Sequence, residues 1–171
     1  MTVSTPTSKQ SLLTGIEILS SMLRTHGFRF ELRGEGVSSG GSFAWGEFVG
    51  IDRRLELHYR DNLGLVTYHF CGESASHQAY MKELGVWGRN RYPGYSTGLA
   101  FHDLAHDLEF ATDFLTGEAT ILRSAARKEA AATSRHCEER MASYVGDTDA
   151  LRRKNLHTNP AFKYPGALDN K

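Results

Sequence analysis

The chain has 171 residues, of which 20 are lysine or arginine and 20 are aspartate or glutamate, so its formal net charge is zero. This length is enough for one domain with a hydrophobic core. The charge balance argues against a dedicated nucleic-acid-binding protein, because such proteins usually carry a basic excess. Residues 1–120 carry a net charge of −4 and residues 121–171 carry +4. The two parts therefore attract each other, or the basic end meets an acidic partner.

The positions of the two cysteines and the character of the N-terminal residues indicate the cellular compartment of the protein. Cys71 and Cys137 lie far apart and form no metal-binding Cys/His spacing, which argues against a disulfide scaffold. Residues 1–10 lack the apolar segment of a signal peptide, and the apolar runs elsewhere are too short to span a membrane. We therefore expect a soluble cytoplasmic protein in which residues 1–10 form a flexible lead.

A helix is predicted directly after this lead. Apolar side chains recur there at intervals of three and four residues: Leu12, Ile16, Leu19 and Leu23. Gly27 stands where a glycine commonly ends a helix. We therefore predict an N-terminal helix from Ser11 to His26.

Alternating polar and apolar residues then predict four antiparallel strands between residues 28 and 71. The first strand begins at Phe28, and the glycine-rich range 34–41 is expected to be a loop or a wide hairpin. The second strand runs from Ser42 to Ile51. Three larger side chains share one of its faces: Phe43, Trp45 and Val49.

The clearest pair of strands is Arg54–Arg60 and Leu65–Cys71, joined by Asp61–Gly64. A four-residue loop here places Leu57 opposite Tyr68, which matches apolar with apolar side chains. One face of the pair is predicted to be dry: Leu55, Leu57, Tyr59, Val66, Tyr68 and Phe70. The other face is predicted to be polar: Glu56, His58, Arg60, Thr67 and His69.

Three titratable side chains meet on this polar face: Glu56, His58 and His69. Directly opposed side chains across a hairpin approach within about 5 Å. One carboxylate with two imidazoles fits an acid–base pair or half of a metal site. The alternative is an exposed face on which these groups pair with charges of the first strand. The sequence leaves both interpretations open.

Residues 85–98 form an irregular segment rich in glycine, aromatic residues and arginine. Its candidate partner-binding residues are of types enriched at binding hot spots: Trp87, Arg89, Arg91, Tyr92 and Tyr95. The two arginines are the preferred contacts for an anionic group, and stacking on a nucleobase is a second use of these residue types. The alternative is a packed loop whose Trp87 and Tyr92 lie under the sheet.

A metal-binding pattern lies in the helix predicted from Leu99 to Leu115. Four polar residues recur at i, i+4, i+7 and i+11: His102, His106, Glu109 and Asp113. On one continuous helix they lie within about 60° of one another. Imidazoles and carboxylates at these intervals can bind zinc, iron or manganese. The alternative is a solvated helix face, because the apolar residues of this segment occupy the opposite side.

Helical patterns also fill most of the remaining chain. Ser76 is expected to cap a short helix that ends near Leu84. A longer helix, from about Ala119 to Val145, has a thin apolar stripe, so we expect it at the edge of the fold or paired in a homodimer. Residues 146–171 are expected to form an extended polar tail. The basic charge of this C-terminal part leaves nucleic-acid association as a further hypothesis.

The runs GSFAWGEFVG, RRLELHYRDNLGLVTYHF and NRYPGY resemble a family of uncharacterised small bacterial proteins. The resemblance covers about residues 20–116 and includes the order helix, sheet, helix. Some small α+β proteins of this general kind resemble immunity proteins, which neutralise a toxin. The resemblance implies a binding role and transfers no functional residue to this chain.

The sequence thus predicts one α+β domain over residues 11–145, with a four-stranded antiparallel sheet packed by an N-terminal helix and C-terminal helices. We expect a non-enzymatic intracellular binding protein without a cofactor, immunity-like or regulatory. It would recognise another protein through residues 85–98 and the polar sheet face. The alternative is a metal-dependent hydrolase whose zinc or manganese, held by the helix histidines and carboxylates, polarises a water or a phosphoryl oxygen.

Overall fold

The computed structural model describes residues 6–93 and 99–158, with the side chains of residues 6–93 and 99–143. The chain forms two compact units, one that ends at Glu129 and one that begins at Ala130. Within the described ranges, no helix combines the length and the apolar character needed to cross a membrane.

Five strands form one antiparallel sheet in sequence order: β1 (Arg29–Ser38), β2 (Gly41–Val49), β3 (Arg53–Arg60), β4 (Asn62–Phe70) and β5 (Glu73–Ser76). The predicted α+β class is confirmed, but the predicted count of four strands is wrong because β5 adds a fifth. Of the two predictions for the range 34–41, a loop or a wide hairpin, the structure has the hairpin, since β1 and β2 extend through most of this range and pair with each other. Its glycines pair with bulky residues of β2, Gly34 with Trp45 and Gly36 with Phe43.

Four helices lie in the first unit and a fifth begins there: α1 (Ser8–Thr25), α2 (His77–Glu83), α3 (Ala100–Leu108), α4 (Thr112–Thr116) and α5 (Thr120–Thr158). Helix α1 begins three residues before the predicted Ser11 because Thr7 and Gln10 form a capping box. The Thr7 hydroxyl accepts the Gln10 N–H at 3.3 Å, and the Gln10 side chain accepts the Thr7 N–H at 2.9 Å. Ser76 caps α2 as predicted.

The helix predicted from Leu99 to Leu115 is interrupted between α3 and α4. The N–H groups of Phe110 and Ala111 donate to carbonyls three residues earlier, at 3.1 and 3.0 Å. Such tight bonds change the rotation per residue. Asp113 consequently leaves the line of the α3 histidines.

The β3–β4 pairing differs from the predicted register by two residues. Leu57 pairs with Val66, and a turn centred on Asp61, whose φ is 58°, replaces the expected four-residue loop. A shift of two residues keeps every side chain on its predicted face. The dry face is confirmed, because its members on β3 and β4 are buried or packed against the core.

The core of the first unit lies on this dry face, under α1, α3 and α4. It includes ten side chains with no exposed surface: Leu12, Leu19, Leu23, Phe48, Leu55, Leu57, Tyr68, Leu104, Leu108 and Phe114. The helices α1 and α3 contact strands of the sheet, α1 on β1, β2 and β3 and α3 on β4. We call the opposite side, which carries Glu56 and His58, the open face.

The first turns of α5 cover the edge of the sheet at β5. Glu129 accepts the backbone N–H and the hydroxyl of Ser76 at 2.8 and 2.6 Å. Glu73 of the same strand accepts bonds from Arg123 and Arg127 at 2.7 and 2.8 Å. Helix α5 continues to Thr158, through residues that were predicted to be extended, and residues 159–171 lie outside the described part.

Candidate functional site

Acidic side chains stand in a row across the open face. Glu31, Glu47 and Glu56 are direct partners on β1, β2 and β3. Like charges at directly opposed positions of a sheet repel each other. The row is therefore stable only with cations placed between the carboxylates.

Arginines supply these cations on the β1 side. Glu47 is only 3 % exposed and accepts from Arg33 Nε and Arg54 Nη1, both at 2.8 Å. Arg33 also lies 2.9 Å from Glu31, which accepts a 2.8 Å bond from Arg29. Arg33 is the extra residue of a bulge in β1, and this position lets it lie between two carboxylates.

Histidines supply the donors on the β4 side. His58 Nε2 lies 2.5 Å from Glu56 Oε1, and His69 Nε2 lies 2.8 Å from Glu56 Oε2. The structure thus brings together the three residues that the sequence placed on this face. Burial raises the pKa of Glu56, but the two imidazole hydrogen bonds outweigh it, so its pKa lies below its ordinary value.

The lowered pKa predicts how stability depends on pH. A glutamate in the unfolded chain has a pKa of about 4.3. Because the folded value is lower, ionised Glu56 stabilises the fold fully above that pH, and this contribution is lost as the pH falls through the folded value. We expect Glu56→Gln to lower the free energy of unfolding at neutral pH and to have a shrinking effect toward about pH 3.

Urea denaturation of the wild type and of Glu56→Gln across this pH range measures the effect. Glu109→Gln is the matched control, because Glu109 is exposed. A difference between wild type and Glu56→Gln that grows toward acid would contradict the assigned role of the carboxylate.

Two parallel rows of side chains form one corner of the open face. In the first, Gly34, Trp45 and His58 are successive partners on β1, β2 and β3. The indole stacks on the imidazole with centroids 5.5 Å apart and planes 9° from parallel. A Cβ at Gly34 would lie 2.5 Å from Trp45 Nε1, so only glycine leaves room for this ring.

The second row contains Gly36, Phe43 and Arg60. A Cβ at Gly36 would lie 2.9 Å from the Phe43 ring, and the Arg60 guanidinium carbon lies 6.0 Å from the centre of that ring. We call the four larger side chains of the two rows the aromatic corner: Phe43, Trp45, His58 and Arg60. The sequence placed Phe43 and Trp45 on one face but did not pair them with the glycines, because that pairing depends on the register of β1.

The predicted metal-binding residues of α3 and α4 do not form one cluster. His102 and Glu109 are exposed, whereas Asp113 is buried. His106 Nδ1 lies 2.9 Å from Asp107 Oδ1. Among the side chains that the structure describes, no group of three or more His, Cys, Asp or Glu residues has the arrangement of a metal site.

Asp113 has structural contacts instead. Its carboxylate accepts the Tyr80 hydroxyl and the N–H groups of Ile121 and Leu122, the latter two at 3.0 and 3.2 Å. These N–H groups belong to the first turn of α5, where a helix has no internal acceptors. Asp113 therefore caps α5 from a distance in the sequence.

The predicted binding residues of the irregular segment after α2 lie in different environments. Trp87 is 41 % exposed beneath Lys82, and Arg89 lies over the Phe110 ring at 5.3 Å. Arg91 is exposed as well. Tyr92 is fully buried, and its hydroxyl donates to the carbonyls of Leu63 and Gly64 in β4, so its side chain does not lie on the surface. Tyr95 lies outside the described residues.

A buried polar cluster holds this segment in place. Tyr68 Oη lies 3.0 Å from His77 Nδ1, and His77 Nε2 lies 3.1 Å from Asp107 Oδ2. Asp107 also accepts the backbone N–H groups of Arg91 and Tyr92 at 2.7 and 2.8 Å. This cluster was not predicted, because no sequence spacing links three residues that come from a strand and two separate helices.

The electrostatics of the cluster follow from its hydrogen bonds. Burial raises the pKa of Asp107, but the bonds from two histidines and two backbone N–H groups outweigh it, so its pKa lies below its ordinary value. The Asp107 carboxylate can only accept hydrogen bonds, so His77 donates to it from Nε2. The Nδ1 atom of a neutral imidazole then has no hydrogen and accepts a hydrogen bond from the Tyr68 hydroxyl. Burial raises the pKa of Tyr68 well above its ordinary value.

Comparison with known proteins identifies no relative of this chain. No protein family, no curated protein and no solved structure matches the chain. The resemblance to small bacterial proteins and to immunity proteins therefore stays a prediction.

Proposed function

We propose that this chain is a non-enzymatic binding protein that recognises another protein on the open face of its sheet. The observation that carries the proposal is the separation of the two sides of the sheet. One side is the core, and the other presents a fixed pattern of arginines, glutamates, histidines and aromatic rings. Surfaces that mix Trp and Arg with a polar surround are typical of protein interfaces.

The same contacts favour binding over catalysis. Both oxygens of Glu56 are engaged by imidazole nitrogens, and both carboxylate oxygens of Glu47 are engaged by arginines. In the second titratable cluster, His77 is 2 % exposed and Asp107 is 0 % exposed, so a substrate does not reach either side chain. Groups that hold one another in place orient a surface, whereas a general acid or base must contact its substrate.

The open face is also favoured over the segment after α2. That segment is anchored on the core side through Tyr92 and Asp107, so it does not extend the open face into one larger surface. The two surfaces can therefore be tested separately.

Site-specific photo-crosslinking in the producing cell distinguishes the surfaces and does not require that the partner be identified first. A photoreactive amino acid replaces Arg29 or Thr67 on the open face, Arg89 after α2, or Thr112 on α4. We expect the open-face positions, and only these, to form covalent adducts with the same protein. The reason is that a photoreactive side chain reacts only with groups in direct contact with it.

The Thr112 position is the matched control for an exposed residue outside either surface. Adducts formed from Arg89 and absent from both open-face positions would assign recognition to the segment after α2. Absence of adducts from all four positions would contradict a stable partner.

A further inference from the structure

We infer that Arg60, at the aromatic corner, receives a carboxylate from the partner, so that the partner presents an acidic side chain beside an apolar or aromatic one. This inference rests on the proposed function and names the chemistry of the ligand. It begins from the charge balance of the open face, where every other cation described above has an acidic neighbour. Arg29, Arg33, Arg54, His58 and His69 each lie within 3.0 Å of a glutamate oxygen.

Arg60 differs from these cations. Its side chain is exposed, and within the described residues no carboxylate oxygen lies within 4.0 Å of its guanidinium group. Its contacts are neutral: Nη2 donates to the Ser38 hydroxyl at 2.9 Å, and the group lies over the Phe43 ring. A guanidinium group carries five N–H donors, so most of them remain directed away from Ser38.

The guanidinium group is nevertheless held in position. A Cβ at Gly40 would lie 2.3 Å from Arg60 Nη1, so the group rests against the backbone of the β1–β2 turn. With Gly40 on one side and Phe43 beside it, little rotamer freedom is left to lose on binding. A charge that is ordered in advance binds an opposite charge at a lower entropic cost.

The surroundings of Arg60 define what accompanies the carboxylate. Phe43 and Trp45 are half-buried on the open face and offer apolar contact two residues apart on β2. One face of the Trp45 ring is covered by His58, and its pyrrole edge lies against Gly34, so at most one face of the indole is left for a ligand. The zero net charge of the chain also disfavours a polyanion. An acidic peptide segment fits these features better than a nucleic acid.

Selection from a displayed library of random peptides tests the inference directly. The purified full chain serves as bait, and the selected peptides are then measured against Arg60→Glu, Arg60→Lys and Arg24→Glu. We expect the selected peptides to share an acidic residue next to an apolar or aromatic one. Their affinity should fall at least about tenfold for Arg60→Glu, because like charges then face each other. Arg24→Glu is the matched control, because Arg24 is exposed in the last turn of α1, a helix on the core side of the sheet, and this change should leave the affinity unaltered.

The other possible outcomes overturn the role of Arg60, the acidic-peptide ligand or the proposed function. Peptides without an acidic residue, or with unchanged affinity for Arg60→Glu, would overturn the assigned role of Arg60. If Trp45→Ala abolishes the binding of such peptides, the open face still stands as the binding surface. Peptides that require Trp87 would overturn the proposed function as well. Failure to select any peptide, or binding of single-stranded oligothymidylate at the corner instead, would overturn the acidic-peptide ligand.

Discussion

Asp107→Asn is expected to lower the free energy of unfolding by about 3–5 kcal/mol, the usual effect of breaking a buried charged pair. The carboxylate of Asp107 is fully buried and accepts hydrogen bonds from two histidines and two backbone N–H groups. Asparagine keeps the shape of the side chain but replaces one carboxylate oxygen, an acceptor, by an NH₂ group, a donor. This NH₂ group then faces the histidine or backbone N–H groups that the oxygen accepted from. Each buried donor left without an acceptor costs about 1–3 kcal/mol.

Urea denaturation followed by circular dichroism measures the stability of Asp107→Asn. Trypsin sensitivity adds a local readout, because the lost bonds hold the backbone at Arg91 and Tyr92, and cleavage after Arg91 should become faster. Glu109→Gln removes an exposed carboxylate from the end of the same helix and should change stability by less than about 0.5 kcal/mol. Equal stability losses for the two variants would contradict a structural role of the buried cluster.

Gly46→Ala is expected to destabilise the protein by about 1–3 kcal/mol, although alanine normally reduces the entropic cost of ordering a strand. Gly46 lies on the core side of β2, where an added Cβ would be 2.5 Å from Phe30 Cζ and 2.8 Å from the backbone oxygen of Glu31. The ring can turn, but the carbonyl belongs to the paired strand β1. Relief of this contact therefore requires β1 and β2 to separate locally.

Gly64→Ala is the matched control for this substitution. Gly64 also lies in a strand, and an added Cβ would have its closest contact at 3.6 Å, an ordinary van der Waals distance. Thermal and urea denaturation of both variants measure the difference. A Gly46→Ala protein as stable as Gly64→Ala would contradict the close packing of Phe30 over β2.

The sheet was predictable because its signal is local. Alternation along β3 and β4 assigns Leu57 and Tyr68 to the core and Glu56 to the open face, and this assignment survives the two-residue error in register. The Glu56–His58–His69 cluster was found for the same reason. The fifth strand was missed because Glu73–Ser76 is only four residues long and has a single buried side chain, Ala75.

The other errors come from interactions between distant parts of the chain. Asp113 was assigned to a metal-binding stripe by its helical spacing, whereas its carboxylate is used by Tyr80 and by the start of α5. Tyr92 was assigned to a binding loop by its residue type, whereas its hydrogen bonds to Asp107 and to Leu63 of β4 hold it in the core. The aromatic corner depends on the pairing of three strands, which no single segment of sequence specifies.

The proposal that recognition takes place on the open face is tested most directly by two matched tryptophan truncations. The affinity of the crosslinked partner is measured for the wild type, for Trp45→Ala on the open face and for Trp87→Ala after α2. We expect Trp45→Ala to weaken binding by about 30-fold or more, the effect of losing a hot-spot residue, and Trp87→Ala to change it by less than about threefold. A large loss for Trp87→Ala with unchanged binding of Trp45→Ala would contradict the proposal.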